Sequence, residues 1–492
     1  MIERSIEVER TNAGVVRRGW ITLFGAVGGA LLVFGNEILV ARLMGVSTYG
    51  LYALGLVVAR MGETVSVFGL TTGMMHFLPV YLTEGRIARV TGTIVASLLL
   101  PLGLGLLSTA LVWMLAPWLA AVVLDSPLAT PYLRLFAIPI PLMCAIEVLG
   151  VVTRGFGRAE YYVIIRNLTP PIAYLALLLV LAFADSSPLL VARAFTAAQM
   201  IGCLVGAAVV TRFVTRHIRW VRPDPPFREL YSYSLPLMVN SLLYMLMGAS
   251  DILMLGSMKG AAEAGVYRAC IQFRPAFDIA LVAFNAAAIH LYPVLLREGR
   301  RAEFNETYGT VIRITSAVAA ILCVLFVLSP RDILSLLGPD FAVGARSMQY
   351  LALGLLFHGC VGSAGIVLIV TGHQRRETIN AIIGVVVNIG LNLVLIPLFS
   401  TAGAAIATAV GLLAMNLSRI RDVKRLLQVE TLRPSIMYSA ALALLVGCAV
   451  LLIARAGGFA DGAGLGAMIV RSALAGSLML LALWKFAPRS NL

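Results

Sequence analysis

The chain has 492 residues, of which 60% are hydrophobic and 13% charged, and its mean hydropathy is +0.93. No aqueous core accommodates that share of apolar surface, which excludes a soluble enzyme or binding module and makes lipid the solvent that the composition fits. The formal charge of +14 does not point to nucleic acid, because the cations recur in short blocks between apolar runs, the habit of membrane topology.

Runs of about 20 apolar residues cross a hydrocarbon core of about 30 Å as helices. Fourteen such spans are predicted, at 20–41, 50–80, 90–116, 130–152, 163–184, 189–211, 229–256, 264–295, 309–329, 346–370, 377–399, 402–418, 435–454 and 466–486. The fold class is therefore an all-α polytopic membrane protein. Residues 1–19 mix Glu3, Glu7 and Glu9 with Arg4, Arg10, Arg17 and Arg18. The run that follows is long enough to span, so this start reads as a cytoplasmic segment and not a cleaved signal. Spans 2 and 8 are long and ragged, with breaks expected near Pro79 and Pro275. The six cysteines all fall in apolar runs without a CxxC and read as small apolar residues.

The loops give an independent check. With the N-terminus inside, cytoplasmic segments and termini hold 26 basic residues against 6 in the outer loops. That bias alternates through the chain as the positive-inside rule requires, which predicts N-in and C-in.

The sequence also repeats itself. Gly45, Gly50 and Tyr52, between spans 1 and 2, return as Gly260, Gly265 and Tyr267, each 215 residues on. Gly155-Phe156-Gly157-Arg158-Ala159-Glu160 is echoed from Gly372 to Glu377, at an offset of 217. Such an offset covers six spans, an even number, so the expected halves are parallel repeats about an axis along the membrane normal. The expected division is an N-terminal lobe at 1–220 (spans 1–6), a C-terminal lobe at 221–430 (spans 7–12) and extra helices at 431–492. A basic, Pro-rich linker, Arg212 to Arg228, joins the lobes.

Two stretches carry a family resemblance. Ala41-Arg42-Leu43-Met44-Gly45 with Tyr49-Gly50-Leu51-Tyr52-Ala53-Leu54 resembles the opening of the polysaccharide-biosynthesis branch of the multidrug/oligosaccharidyl-lipid/polysaccharide exporter superfamily. Asn388 to Pro397, running into Ala402 to Thr408, is similar to that family's signature from helix 11 to helix 12. The resemblance implies a flippase of the O-antigen or exopolysaccharide type. Such a protein carries a polyprenyl-diphosphate-linked oligosaccharide from the inner to the outer leaflet of the cell membrane by alternating access. The implied partners are the lipid bilayer, the lipid-linked substrate, a polysaccharide polymerase and glycosyltransferases.

Charges inside spans mark the candidate site, since each costs on the order of 3 kcal/mol at mid-bilayer. Span 1 carries Asn36 and Glu37, span 2 Arg60 and Glu63, span 4 Glu147, span 7 Asp251, and span 8 Arg268, Arg274 and Asp278. By the repeat, Asn36 corresponds to Asp251 and span 2 to span 8. A lipid diphosphate needs cationic donors when taken out of water, and the guanidinium fork supplies them. Arg60, Arg268 and Arg274 are therefore the candidate headgroup contacts. The spacings Arg60/Glu63 and Arg274/Asp278 equally suit intrahelical ion pairs. Asn36, Glu37, Glu63, Asp251 and Asp278 are cavity polar groups or coupling-ion sites for a proton or Na⁺. No metalloprotease, nucleophile-elbow or phosphate-loop motif is present, so neither catalysis nor a cofactor is expected. Two alternatives are a multidrug exporter of the same superfamily, disfavoured by the arginine excess on spans 2 and 8, and a membrane-embedded glycan polymerase or ligase, for which the outer loops are short.

Overall fold

The computed structural model describes residues 12–183, 187–218, 221–361 and 363–428. The expected spans 13 and 14, the segment 431–492 and residues 1–11 lie outside these. Every regular element among the described residues is helical.

The first unit of the chain takes residues 1–249 with 260–262. It begins with α1 (Asn12–Val67) and α2 (Leu70–Thr83). Next come α3 (Ile87–Trp118), α4 (Ala129–Ala137), α5 (Ile140–Gly155) and the short α6 (Ala159–Tyr162). A π-helical turn, Val163–Leu168, leads into α7 (Thr169–Phe183), followed by α8 (Pro188–His217) and α9 (Phe227–Lys259). The second unit takes 250–259 and 263–492, beginning with the end of α9. It continues through α10 (Ala261–Ile271), α11 (Arg274–Ala288), α12 (Leu291–Arg297) and α13 (Arg301–Leu328). The short α14 (Pro330–Ser335), α15 (Ala345–Val361), α16 (Ser363–Val370) and α17 (Gln374–Leu427) complete it.

Among the described residues eight helical stretches are long and apolar enough to cross a membrane, or nine if one bent pair counts as a span. Large apolar side chains on them face outward: Leu99, Leu106 and Met114 of α3 are exposed, as a lipid-facing surface requires. The helices α1 and α17, with 56 and 54 residues, would each run about 80 Å if straight, against about 30 Å of hydrocarbon. Each breaks once, α1 at Gly45 (φ 70°, ψ 169°) and α17 at Ser400 (φ 50°, ψ −128°). Span 2 breaks at Phe68–Gly69, where both residues have positive φ, and not at Pro79, which sits inside α2. Span 8 is interrupted before Arg274, with Pro275 in the first turn of α11, where its missing N–H costs nothing.

The chain's echoes reappear as backbone geometry. Gly45 and Gly260 both have positive φ, as do Gly157 and Gly372. Gly157 and Gly372 close their helices with the same two bonds, one from the glycine N–H to the carbonyl three back and one from the next N–H to the carbonyl five back. This left-handed cap is the constraint glycine satisfies. It aligns Gly157, not Gly155, with Gly372, which brings the second echo to an offset of 215. The same cap occurs at Gly85 and Gly299, within Leu82-Thr83-Glu84-Gly85-Arg86 and Leu296-Arg297-Glu298-Gly299-Arg300.

The first unit's core gathers Met74, Leu78, Ile146, Val152, Ile165 and Phe213. Residues 221–226 are strapped to the start of α3: Asp224 N–H donates to Ala88 O at 2.9 Å, and Arg89 pairs with Asp224 at 2.8 Å. Gly92 leaves room for the Asp224 backbone, which a Cβ there would meet at 2.3 Å. Tyr81 OH donates to Glu229 at 2.9 Å.

In the second unit the two arms of α17 meet without clearance just beyond Ser400. A Cβ on Gly403 would lie 2.1 Å from Leu395 O, whereas one on Gly390 would meet nothing. Gly403→Ala is expected to destabilise the protein by about 1–3 kcal/mol because backbone must move, and Gly390→Ala to stabilise it by about 1 kcal/mol or less. Thermal unfolding in detergent measures both.

Candidate functional site

Within the second unit the last turns of α9 carry Asp251, 2% exposed, in an otherwise apolar stretch. Four neutral donors converge on its carboxylate. Tyr267 OH of α10 donates to one oxygen at 2.6 Å, and Thr408 OH donates to the same oxygen. The other oxygen accepts from Asn392 Nδ2 at 2.6 Å and from Asn388 Nδ2 at 3.0 Å. A carboxylate offers about four acceptor positions, so this one is saturated. Ser250 OH fixes Asn388 by donating to its Oδ1 at 3.0 Å. Asn392 Oδ1 is buried without a hydrogen-bond donor. The carboxylate is thus held out of water by oriented hydroxyl and amide dipoles, with no cationic side chain against it among the described residues.

On α10 and α11, Arg268 is half-buried, and Arg274 Nε lies 3.6 Å from Asp278 Oδ2, each side chain about one-third exposed at 34% and 35%. The spacing i, i+4 seen in the sequence is therefore an ion pair.

In the first unit Asn36, the counterpart of Asp251 at 215 residues, is buried and donates Nδ2 to Pro171 O at 2.9 Å. Glu37 beside it accepts from Tyr49 OH at 2.6 Å. Arg60 Nη1 donates to Glu63 at 2.7 Å, with 39% of the arginine side chain exposed and 10% of the glutamate's. Glu147 of α5 accepts from Arg166 Nε at 2.5 Å.

The structure thus separates the sequence-derived residues into local sets. Arg60 joins Glu63 and Arg274 joins Asp278, while Asp251 is held by neutral groups from α10 and α17. Arg166 and Arg419, counted among the 26 basic residues of the cytoplasmic segments, are both ion-paired. Arg419 donates Nε to both Glu377 oxygens at 3.0 and 3.1 Å, and its Nη2 also reaches that carboxylate. Nη1 donates to Asn416 Oδ1 at 3.1 Å, and Asn416 Nδ2 lies 3.1 Å from His358 Nδ1. The signal available was spacing: Glu377, Asn380, Gly384, Asn388 and Asn392 share one face of a helix. Among the described residues no cluster of three or more His, Cys, Asp or Glu side chains is placed to hold a metal.

Residues 16–297 match the family described as polysaccharide biosynthesis protein, and 236–394 match MatE. A curated relative, an uncharacterized membrane protein of Methanocaldococcus jannaschii, is 23% identical over 74% of this chain and 75% of its own. Among solved structures, the lipid II flippase MurJ in an inward closed conformation superposes with a TM-score of 0.74 at 12% identity, over 95% of this chain and 98% of that one. An inward-facing multidrug resistance transporter of the MATE family gives 0.67 at 14%, over 81% and 94%. A MOP superfamily transporter from Pyrococcus furiosus, described as having a binding pocket of reversed polarity, gives 0.58 at 15%, over 85% and 96%. With more than half its length matched, the chain belongs to the polysaccharide biosynthesis protein family, and it has the fold shared by MurJ and the MATE transporters.

Proposed function

We propose that this protein is a flippase that moves a polyprenyl-diphosphate-linked oligosaccharide from the inner to the outer leaflet of the cell membrane by alternating access. The observation that carries this reading is the set of arginines held inside apolar spans yet partly exposed, Arg60, Arg268 and Arg274. Cations maintained there at a cost suit an anionic headgroup, whose phosphate oxygens match the guanidinium fork. The family supports polysaccharide assembly as the setting, with a polymerase and glycosyltransferases as functional partners. Fourteen spans in two parallel six-helix lobes plus two helices, N-in and C-in, are the architecture we assign to it. The capped glycines that recur at offsets of 214 and 215 support the two-lobe part. Asp251 is the group we assign to coupling, by binding a proton or Na⁺ among its amide and hydroxyl neighbours. An inside-negative potential adds about 2.3 kcal/mol per charge per 100 mV to outward movement of the diphosphate.

Deletion of the protein is expected to leave lipid-linked glycan on the cytoplasmic leaflet, read by its protection from an externally added glycosidase. Full outer-leaflet delivery in a strain lacking any redundant flippase would reject the reading. The match of 236–394 to MatE favours a second reading, a multidrug exporter, for which deletion would sensitise cells to cationic dyes instead.

A further inference from the structure

Two arginines and two glutamates of the first unit form an alternating set. Arg60 and Glu63 lie one turn apart on the second arm of α1. Glu147 on α5 holds Arg166 by its Nε. Glu63 packs against α5 too: Cys144, one turn before Glu147, places its Sγ 3.9 Å from Glu63 O.

Arg166 is presented by the π-helical turn Val163–Leu168. Such turns give up regular pairing and recur where a side chain must be aimed. The turn is seated on α1 at two glycines. A Cβ on Gly25 would meet Val163 Cγ1 at 2.3 Å, and one on Gly29 would meet Asn167 O at 2.6 Å. The depth of Arg166 is therefore set by the first arm of α1.

Both arginines keep donors in reserve. Arg166 spends Nε on Glu147, and Arg60 spends one terminal nitrogen on Glu63. Their remaining N–H groups meet no protein acceptor among the described residues. The two side chains are 39% and 31% exposed for Arg60 and Arg166, Arg60 well inside its apolar run and Arg166 near the start of its own. Open guanidinium donors fit an oxyanion.

We propose that Arg60 and Arg166 clamp a diphosphate, and that Glu147 is the counter-ion that yields Arg166 to the incoming phosphate and takes it back on release. This rests on the flippase reading and adds Arg166 and Glu147 to its site. The physical logic is that of any transport site, where binding must be strong enough to admit the cargo and weak enough to release it. A clamp without Glu147 would hold the anion too long. With Glu147, each capture displaces an existing ion pair, and the two glutamates leave the empty set with no net charge.

The test uses the full chain purified in detergent and farnesyl diphosphate as the probe, with farnesol and inorganic pyrophosphate run alongside to separate tail from phosphate recognition. Arg166→Ala is expected to weaken farnesyl diphosphate binding by roughly tenfold or more, and Arg166→Lys by less, in line with loss of charge-assisted bonds. Glu147→Gln is expected to tighten it about three- to tenfold while slowing transport, a gain that a merely structural partner would not produce. If Arg166→Ala does not fold, Arg166→Lys and Glu147→Gln carry the test. Unchanged binding in both of these folded variants, or weaker binding in Glu147→Gln that tracks lost thermal stability, would overturn the clamp. Failure of the wild-type protein to bind farnesyl diphosphate at all would instead remove the flippase reading beneath it. Farnesol binding as well as farnesyl diphosphate would show tail recognition and count against the clamp.

Discussion

Arg419→Met is expected to lower stability by roughly 3–5 kcal/mol, because it leaves the Glu377 carboxylate buried without its cation. The two side chains are 4% and 1% exposed, so water cannot replace the lost partner. Asn416 also loses a donor, and with it the fixed position of the amide beside His358. The guanidinium fills space that Gly365 leaves open, where a Cβ would lie 3.0 Å from Cζ. Methionine keeps that volume without the charge. The double variant Glu377→Leu/Arg419→Met is expected to recover most of the loss, since a buried ion pair replaced by apolar groups of similar size is often neutral or better. Unfolding of all four proteins in detergent closes the cycle. A double variant as unstable as the single would show that the network through Asn416 and His358, and not the pair, holds α15 and α17 together.

Asp251→Asn is expected to reduce transport about 10- to 100-fold, the size of a typical coupling energy. The amide keeps the shape but puts an N–H donor where a carboxylate oxygen accepted from two donors. Stability is therefore expected to fall by on the order of 1–3 kcal/mol, which unfolding in detergent measures. The affected quantity is the response to a gradient. In proteoliposomes the wild-type rate should rise with an imposed proton or Na⁺ gradient, and the variant's rate should not. A variant that still responds to the gradient would move coupling away from Asp251. Tyr267→Phe removes one of the four donors and is expected to fall between the two.

Much of the fold was legible because lipid imposes a length on each apolar run, and glycine marks a left-handed cap in a way few residues do. Gly45 and Gly260 stand out by their recurrence 215 residues apart, and the break at Ser400 falls between the predicted spans 377–399 and 402–418. The π-helical turn at Val163–Leu168 has no sequence signature. At the site, Asp251 and the pairs Arg60/Glu63 and Arg274/Asp278 stood out as charges deep in apolar runs. Arg166, Glu377 and Arg419 lie near the ends of runs, where a charge is cheap and topology alone accounts for it. Hydropathy does not locate a residue along the membrane normal to within a turn or two, and those are the turns in which these pairs sit. Asn388, Asn392 and Thr408 were seen as a family signature, but their convergence on Asp251 depends on how α17 folds back at Ser400.

The strap of residues 221–226 across the start of α3 bears on how the protein is made. A chain leaves the ribosome from its N-terminus, and domains fold as units in that order. Asp224 reaches Ala88 and Arg89, and Glu229 reaches Tyr81, using only residues translated before the second unit. The first half can therefore be clasped at the start of α3 while the rest is still being synthesised.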